Sequence, residues 1–294
     1  MTTTNTTKKI AVTGGALAAA VALIYHFFFV TTGFSGVYGN KVGTWITTDA
    51  GRKAEVVWLM KQGFTSDYLY GIDGSYLASA TNRANVSDFI LKYRRAGGQE
   101  VGFVLSKPSS LPYLETYLKT STDSTRFNVI VTEFEQYNTG DRAGFSVLLQ
   151  ACKKIVDTYH MKLFIYQGWP NAPDCDTIAK YSDGVLLHAY GQYDKQSNIG
   201  AWCFGYMKTR NEMLATSFGK LNKVALNSMI VSTENPDQTK TQFGYKYYTT
   251  HKWMDTYNGF ISYYNSNASA NVKKWISYRG QQTFVEDQAK IIKP

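Results

Sequence analysis

Cysteine is scarce in this chain of 294 residues, and charge is thin. The three cysteines (Cys152, Cys175, Cys203) form no C-x-x-C pair and have no histidine at ligand spacing. A zinc site or a disulfide-dense scaffold is thereby excluded, and one bridge with a free thiol is the most that pairing allows. Charged residues make up only 18%, which with an apolar share of 44% excludes disordered, collagen-like and coiled-coil classes. The balance of 31 basic against 22 acidic residues gives a net charge of +9, yet Lys and Arg stand singly or in pairs. Without a basic stripe or a recognition motif, nucleic acid is not an expected partner. What the chain has in quantity is aromatic surface: 22 Tyr, 16 Phe and 6 Trp.

The one long uncharged run is Ile10–Val30, which at about 1.5 Å per residue is long enough to cross a hydrocarbon core of about 30 Å. Lys8 and Lys9 precede it, so the positive-inside tendency places residues 1–9 in the cytoplasm and the rest of the chain outside it. An uncleaved transmembrane anchor is favoured over a cleaved signal segment, whose apolar core is usually shorter. With an anchor the main domain is periplasmic or at the cell surface; with cleavage it is secreted. The glycines in KKIAVTGGALAAA do not make a dinucleotide fingerprint, because the apolar run continues into Phe27–Phe29.

After a linker over 31–40, apolar runs alternate with amphipathic stretches. Strands are expected at 41–46, 67–73, 100–106, 127–135, 162–168, 183–190, 223–231 and 259–264, and helices at 52–63, 85–98 and 142–160 among others. The strand starts recur about every 31 residues, the size of a β-α unit. Eight such units are the arithmetic of an α/β fold of the (β/α)8 TIM barrel type over 41–294. A doubly wound sheet is the competitor, but the chain lacks a phosphate-binding turn.

Barrel function collects where strands end and βα loops begin. Those ends carry Trp45, Asp73, Gln167, Trp169, His188, Tyr190, Asn227 and Tyr263, with a polar loop at 232–243 after strand seven. Strand four is the distinctive one. Val129, Val131, Glu133 and Glu135 share one face, since side chains alternate. Two carboxylates at i and i+2 repel, and one is expected to hold its proton as a general acid does; solvation at the rim or pairing with Lys or Arg is the plainer alternative. His160 ends a helix, as a dipole partner would, and the four histidines suggest no metal site. No cofactor is called for. Asn-x-Ser/Thr occurs at Asn5, Asn85 and Asn267.

Residues 127–135, FNVIVTEFE, resemble the strand-four signature F-D-G-x-D-x-D-W-E of family 18 glycoside hydrolases, the chitinases and endo-β-N-acetylglucosaminidases. The resemblance puts the proton-donating Glu at Glu135, the aromatic before it at Phe134, and the acetamido-positioning Asp at Glu133. Asn128, Val129 and Val131 depart from the motif. On strand six, Tyr190 matches the tyrosine that contacts the acetamido group, while Gly191 replaces an Asp. On strand eight, Tyr263 falls near the floor tryptophan; the S-x-G-G motif of strand three has no counterpart in LSKPSS.

The family's reaction is substrate-assisted, with the acetamido oxygen attacking as the Glu protonates the leaving oxygen. Val131 can relay neither charge nor proton, so activity of ordinary strength is not expected. Three functions follow. One is a hydrolase acting on an N-acetylglucosamine-containing glycan through Glu135, Glu133 and Tyr190. The second is a catalytically inactive glycan-binding barrel using Trp45, Asp73, Gln167, Trp169, His188, Asn227 and Tyr263. The third is a tethered structural barrel with envelope protein partners.

Overall fold

Period-two alternation sorts the strand residues into two sets, one meeting helices and one meeting the other strands across a bore. A computed structural model describes residues 34–43, 45–72, 74–134, 136–191, 193–232, 245–248 and 250–284. Its strands are β1 (Phe34–Lys41), β2 (Ser66–Tyr70), β3 (Glu100–Leu105), β4 (Val129–Thr132), β5 (Lys162–Gln167), β6 (Gly184–His188), β7 (Ala225–Ser232) and β8 (Ile276–Phe284). They run parallel and in sequence order, and β8 pairs with β1 to close an eight-stranded barrel. The helices used below are α1 (Asp49–Lys61), α2 (Ala80–Arg95), α3 (Leu111–Thr120), α4 (Arg142–Tyr159), α5 (Ala172–Tyr181), α6 (Ile199–Lys220), α7 (Trp253–Asn267) and α8 (Ala270–Trp275).

Val37, Leu69, Phe103, Ile130, Leu163, Val185 and Met229 point outward into the helix layer. The alternate residues Tyr38, Tyr68, Val104, Val129, Val131, Phe164, Tyr166, Leu186 and Ile230 make a second buried cluster inside the bore. Filling the bore with tyrosines demands small residues beside them. A β-carbon at Gly102 would lie 2.5 Å from the Tyr68 ring, and one at Gly184 would lie 2.1 Å from the Leu226 carbonyl oxygen.

Towards the strand starts the bore is polar. Arg279 on β8 forks onto Glu100 on β3, with both nitrogen–oxygen distances 2.8 Å, and its Nε donates to Ser228 Oγ at 3.2 Å. Tyr68 donates to Glu100 and accepts from Arg279. The guanidinium also lies 4.0 Å from the Phe164 ring centroid and 4.4 Å from that of Phe34.

Six of the eight strands fall where alternation puts them, and the two ends do not. The first strand is 34–41, inside the stretch read as a linker, and the expected strand 41–46 is mostly the turn that follows it. Gly36 and Gly39 make this run look like loop. Yet a β-carbon at 36 would lie 1.7 Å from Ser66 Oγ, so the glycine is there for strand contact. The expected last strand 259–264 lies inside α7, where Trp253, Thr256, Tyr257, Phe260 and Tyr264 form a buried helical face. The true β8, ISYRGQQTF, escapes a hydropathy reading because Arg279 and Gln282 point into the polar part of the bore. All three cysteines are free and buried.

The segment 10–30 and residues 233–243 of the polar loop lie outside the described residues. Among the described residues no helix is long and apolar enough to cross a membrane.

Breaking the Arg279–Glu100 fork leaves one buried charge unpaired, a loss of about 3–5 kcal/mol. Denaturant unfolding of Arg279→Met is expected to show it, and the double change Arg279→Met/Glu100→Leu is expected to be less damaging than the single one. A single change within 1 kcal/mol of the parent would remove the fork from the stability of the barrel.

Candidate functional site

The strand ends gather a ring of aromatic and polar side chains at the C-terminal mouth, and each element delivers its own. From β4, Glu133 continues the inward face of Val129 and Val131. Its amide still donates to the Leu105 carbonyl at 3.0 Å, so the backbone holds strand register one residue past the assigned end. The Tyr38 side chain, from β1, lies close enough to the Glu133 carboxylate to feel its charge. Burial, and then the charge of Glu133, raise the Tyr38 pKa well above that of a free phenol, so this hydroxyl remains a donor at any physiological pH. Glu135 and Asp73 lie outside the described residues.

Tyr166 on β5 stacks on Tyr38 with centroids 5.3 Å apart and planes at 6°. It neighbours Tyr190, whose pKa is raised by burial and then by Tyr166. The Tyr190 ring in turn lies 4.8 Å from His188. His188 ends β6 and is 8% exposed, with Nδ1 buried and unpartnered. Burial, with Arg210 adding to it, pushes its pKa down to about 3, so the ring is neutral.

Trp169 is the exposed platform of the ring, with 55% of its surface open. It stands on the short turn between β5 and α5, and that turn is fixed by a capping box. Asn171 accepts from the Asp174 amide at 2.9 Å, while the Asp174 carboxylate accepts from the Asn171 amide at 3.2 Å. The indole meets His188 at 6.1 Å and Tyr206 at 5.3 Å, both edge to face, and the Arg210 guanidinium lies 4.7 Å from its centroid.

The other expected site residues are elsewhere. Gln167 points away from the bore and is fully buried, accepting from Gln136 Nε2 at 3.2 Å. Asn227 sits near the start of β7, where its Oδ1 accepts from the Val185 amide at 3.1 Å; it ties two strands and is not at the mouth. Trp45 follows β1 but packs edge-on against Phe89 of α2, at 4.8 Å. Tyr263 is on α7, facing Phe204 at 6.0 Å, because its segment is a helix and not strand eight. His160 caps α4 in the left-handed conformation (φ 54°).

Sequence reasoning missed Tyr38, Tyr166, Tyr206 and Arg210. Tyr166 was legible, being two residues after the inward Phe164. Tyr38 was hidden in the glycine-rich run taken as linker, and Arg210 gives no signal from the middle of a helix. The departure at Gly191 has a packing cause. A β-carbon there would lie 2.3 Å from the Trp202 ring.

No protein-family model matches the sequence, and no curated protein matches it. Comparison with solved structures returns barrels of several chemistries. A Group IV chitinase of Ostrinia furnacalis in complex with allosamidin is 14% identical with a TM-score of 0.42, over 68% of this chain and 66% of its own. The tryptophan synthase complex of Pyrococcus furiosus matches at 11% identity and 0.44, over 85% and 86%. A GH20 β-N-acetylhexosaminidase of Streptomyces coelicolor matches at 12% and 0.44, over 86% and 58%. The chain thus spans just under two thirds of that chitinase, and likeness at this level selects none of these chemistries.

The His188 shift has a measurable consequence. Its unfolded pKa is near 6.5 and its folded one near 3, so between those values only the unfolded chain takes up the proton. The stability tied to neutral His188 is therefore complete above pH 6.5 and falls by up to about 1.4 kcal/mol per pH unit below it. Urea unfolding at pH 7 and pH 5 is expected to show a smaller pH loss in His188→Gln than in the parent. Equal losses would mean the ring is not held neutral.

Proposed function

We propose that the barrel is a glycoside hydrolase-like protein that binds an N-acetylglucosamine-containing glycan across its C-terminal mouth. In this reading Glu135 is the general acid, and Glu133 orients the substrate's acetamido group or an attacking water. The observation that carries it is the Glu133 carboxylate at the end of β4, beside Tyr38 and within a ring of aromatic faces. A carboxylate at that place is what stabilising a developing oxocarbenium or oxazolinium cation requires. Trp169 offers the flat apolar surface on which a pyranose ring stacks, and the Tyr190 ring, just after β6, lies beside His188. The run 10–30 would tether the barrel outside the cytoplasm, at the surface or in the periplasm, beside envelope proteins.

Val131 favours a second reading. It is buried in the bore cluster where the family's middle Asp would carry charge towards the acid. A glycan-binding barrel without turnover is the alternative it supports.

One experiment separates the two. Reducing-end release is measured from chitin oligosaccharides and from peptidoglycan strands, alongside binding of the same oligosaccharides. The hydrolase reading expects turnover that falls about 100-fold or more in Glu135→Gln and in Glu133→Gln, with binding weakened by Trp169→Ala. Unchanged turnover in Glu135→Gln removes that residue from the mechanism. Saturable binding with no reducing ends assigns the barrel to binding alone, and neither binding nor turnover overturns both readings.

A further inference from the structure

Arg210 on α6 is 1% exposed, and among the described residues no carboxylate pairs with it. This sets it apart from the other deeply placed arginines: Arg279 is forked onto Glu100, and Arg52 is paired with Asp88 at 2.6 Å. Its partners are carbonyls and rings. Nη1 donates to Gly168 O at 2.9 Å and to His188 O at 3.0 Å, and Nη2 donates to Tyr206 O at 3.0 Å. The guanidinium lies 4.7 Å from the Trp169 centroid and 4.8 Å from that of Tyr206, and Nε is buried with no partner. Dipoles and ring quadrupoles solvate the cation but do not cancel its charge.

That charge lies directly beneath the open platform of the mouth. One face of the indole meets Arg210, while 55% of the Trp169 surface is exposed. His188 beside it is neutral and its Nδ1 is an unpartnered buried polar atom, so the imidazole supplies no compensating or competing charge. The described carboxylate of the mouth, Glu133, lies beside Tyr38 on the β1 side. The mouth is thus divided, with an anionic half at β1 and β4 and a cationic half at the ends of β5 and β6.

We propose that the Trp169 platform is a subsite for an acidic sugar, one bearing a carboxylate, selected by the buried charge of Arg210. This rests on the glycan reading given above and adds the substrate class to it. A ring stacked on the outer indole face would carry its carboxylate within several ångströms of the guanidinium, with a dry aromatic layer between them. There the attraction is weakly screened, on the order of a tenfold effect on affinity.

The test compares a hyaluronan hexasaccharide, which alternates N-acetylglucosamine with glucuronate, with its carboxyl methyl ester. Binding to the full chain is measured by calorimetry at low and high salt. The acid is expected to bind about tenfold more tightly than the ester, to keep most of that ratio at high salt, and to lose it in Arg210→Met. Equal affinity for acid and ester overturns the acidic subsite while leaving the glycan reading intact. Binding of neither overturns the acidic subsite, and the binding of chitin oligosaccharides described above then decides the glycan reading separately. A ratio that vanishes at high salt assigns the preference to the basic surface, not to Arg210. That arm uses the unaltered chain and decides the question if Arg210→Met does not fold.

Discussion

A closed eight-stranded barrel is stable only if its bore is filled, and here the filling is organised around one buried ion pair. The Arg279–Glu100 fork links β8 to β3 across the interior, and Tyr68 bonds to both partners. A charge pair that deep is retained only when its hydrogen-bonding capacity is met. Ser228 takes Arg279 Nε, and the Phe164 and Phe34 rings cover the guanidinium faces. The Tyr68 ring requires Gly102 beside it. From this floor upward each layer sets the next, and the mouth inherits its aromatic character from the need to fill space below it.

The same constraint accounts for how the mouth departs from the hydrolase motif it resembles. Val131 belongs to the bore cluster, where a carboxylate would need a partner of its own. Gly191 makes room for Trp202, which stacks on Tyr206 at 4.9 Å. At these two positions packing sets the residue type. Tyr38 and Tyr190 carry buried phenols whose ionisation is suppressed by burial and by their neighbours. Tyr38 stacks on Tyr166, and the pair lines the approach to Glu133.

The middle of the barrel was legible in the sequence because β2 to β7 are short apolar runs whose two faces are both covered, and helices between them show period-3.6 faces. The ends were not. β1 contains glycines needed for close approach to Ser66, and β8 contains Arg279 and Gln282 that face a polar bore, so neither carries a hydrophobic signal. GFISYY reads as a strand by its aromatic content, yet Phe260 and Tyr264 are spaced for one helical face. At the site, alternation along β4 and β6 led to Glu133, His188 and Tyr190, which the fold places at the ends of those strands. Gln167 and Asn227 misled because a strand residue of the right polarity can point outward and serve the backbone of its neighbours.

Arg210 couples the shape of the mouth to its charge. Its Nη1 bonds the carbonyls that end β5 and β6, while its flat face supports the indole on the β5–α5 turn. Lysine has one point of charge and no planar fork, so it cannot span the Gly168 and His188 carbonyls while lying flat against Trp169 and Tyr206. An apolar residue would fill the space but leave those carbonyls short of a donor. The position therefore demands a guanidinium for structural reasons alone, and any guanidinium held there brings a positive charge to the underside of the platform. Selectivity for charge at this subsite is then a consequence of how the platform is supported, and the two cannot be varied independently by changing that one residue.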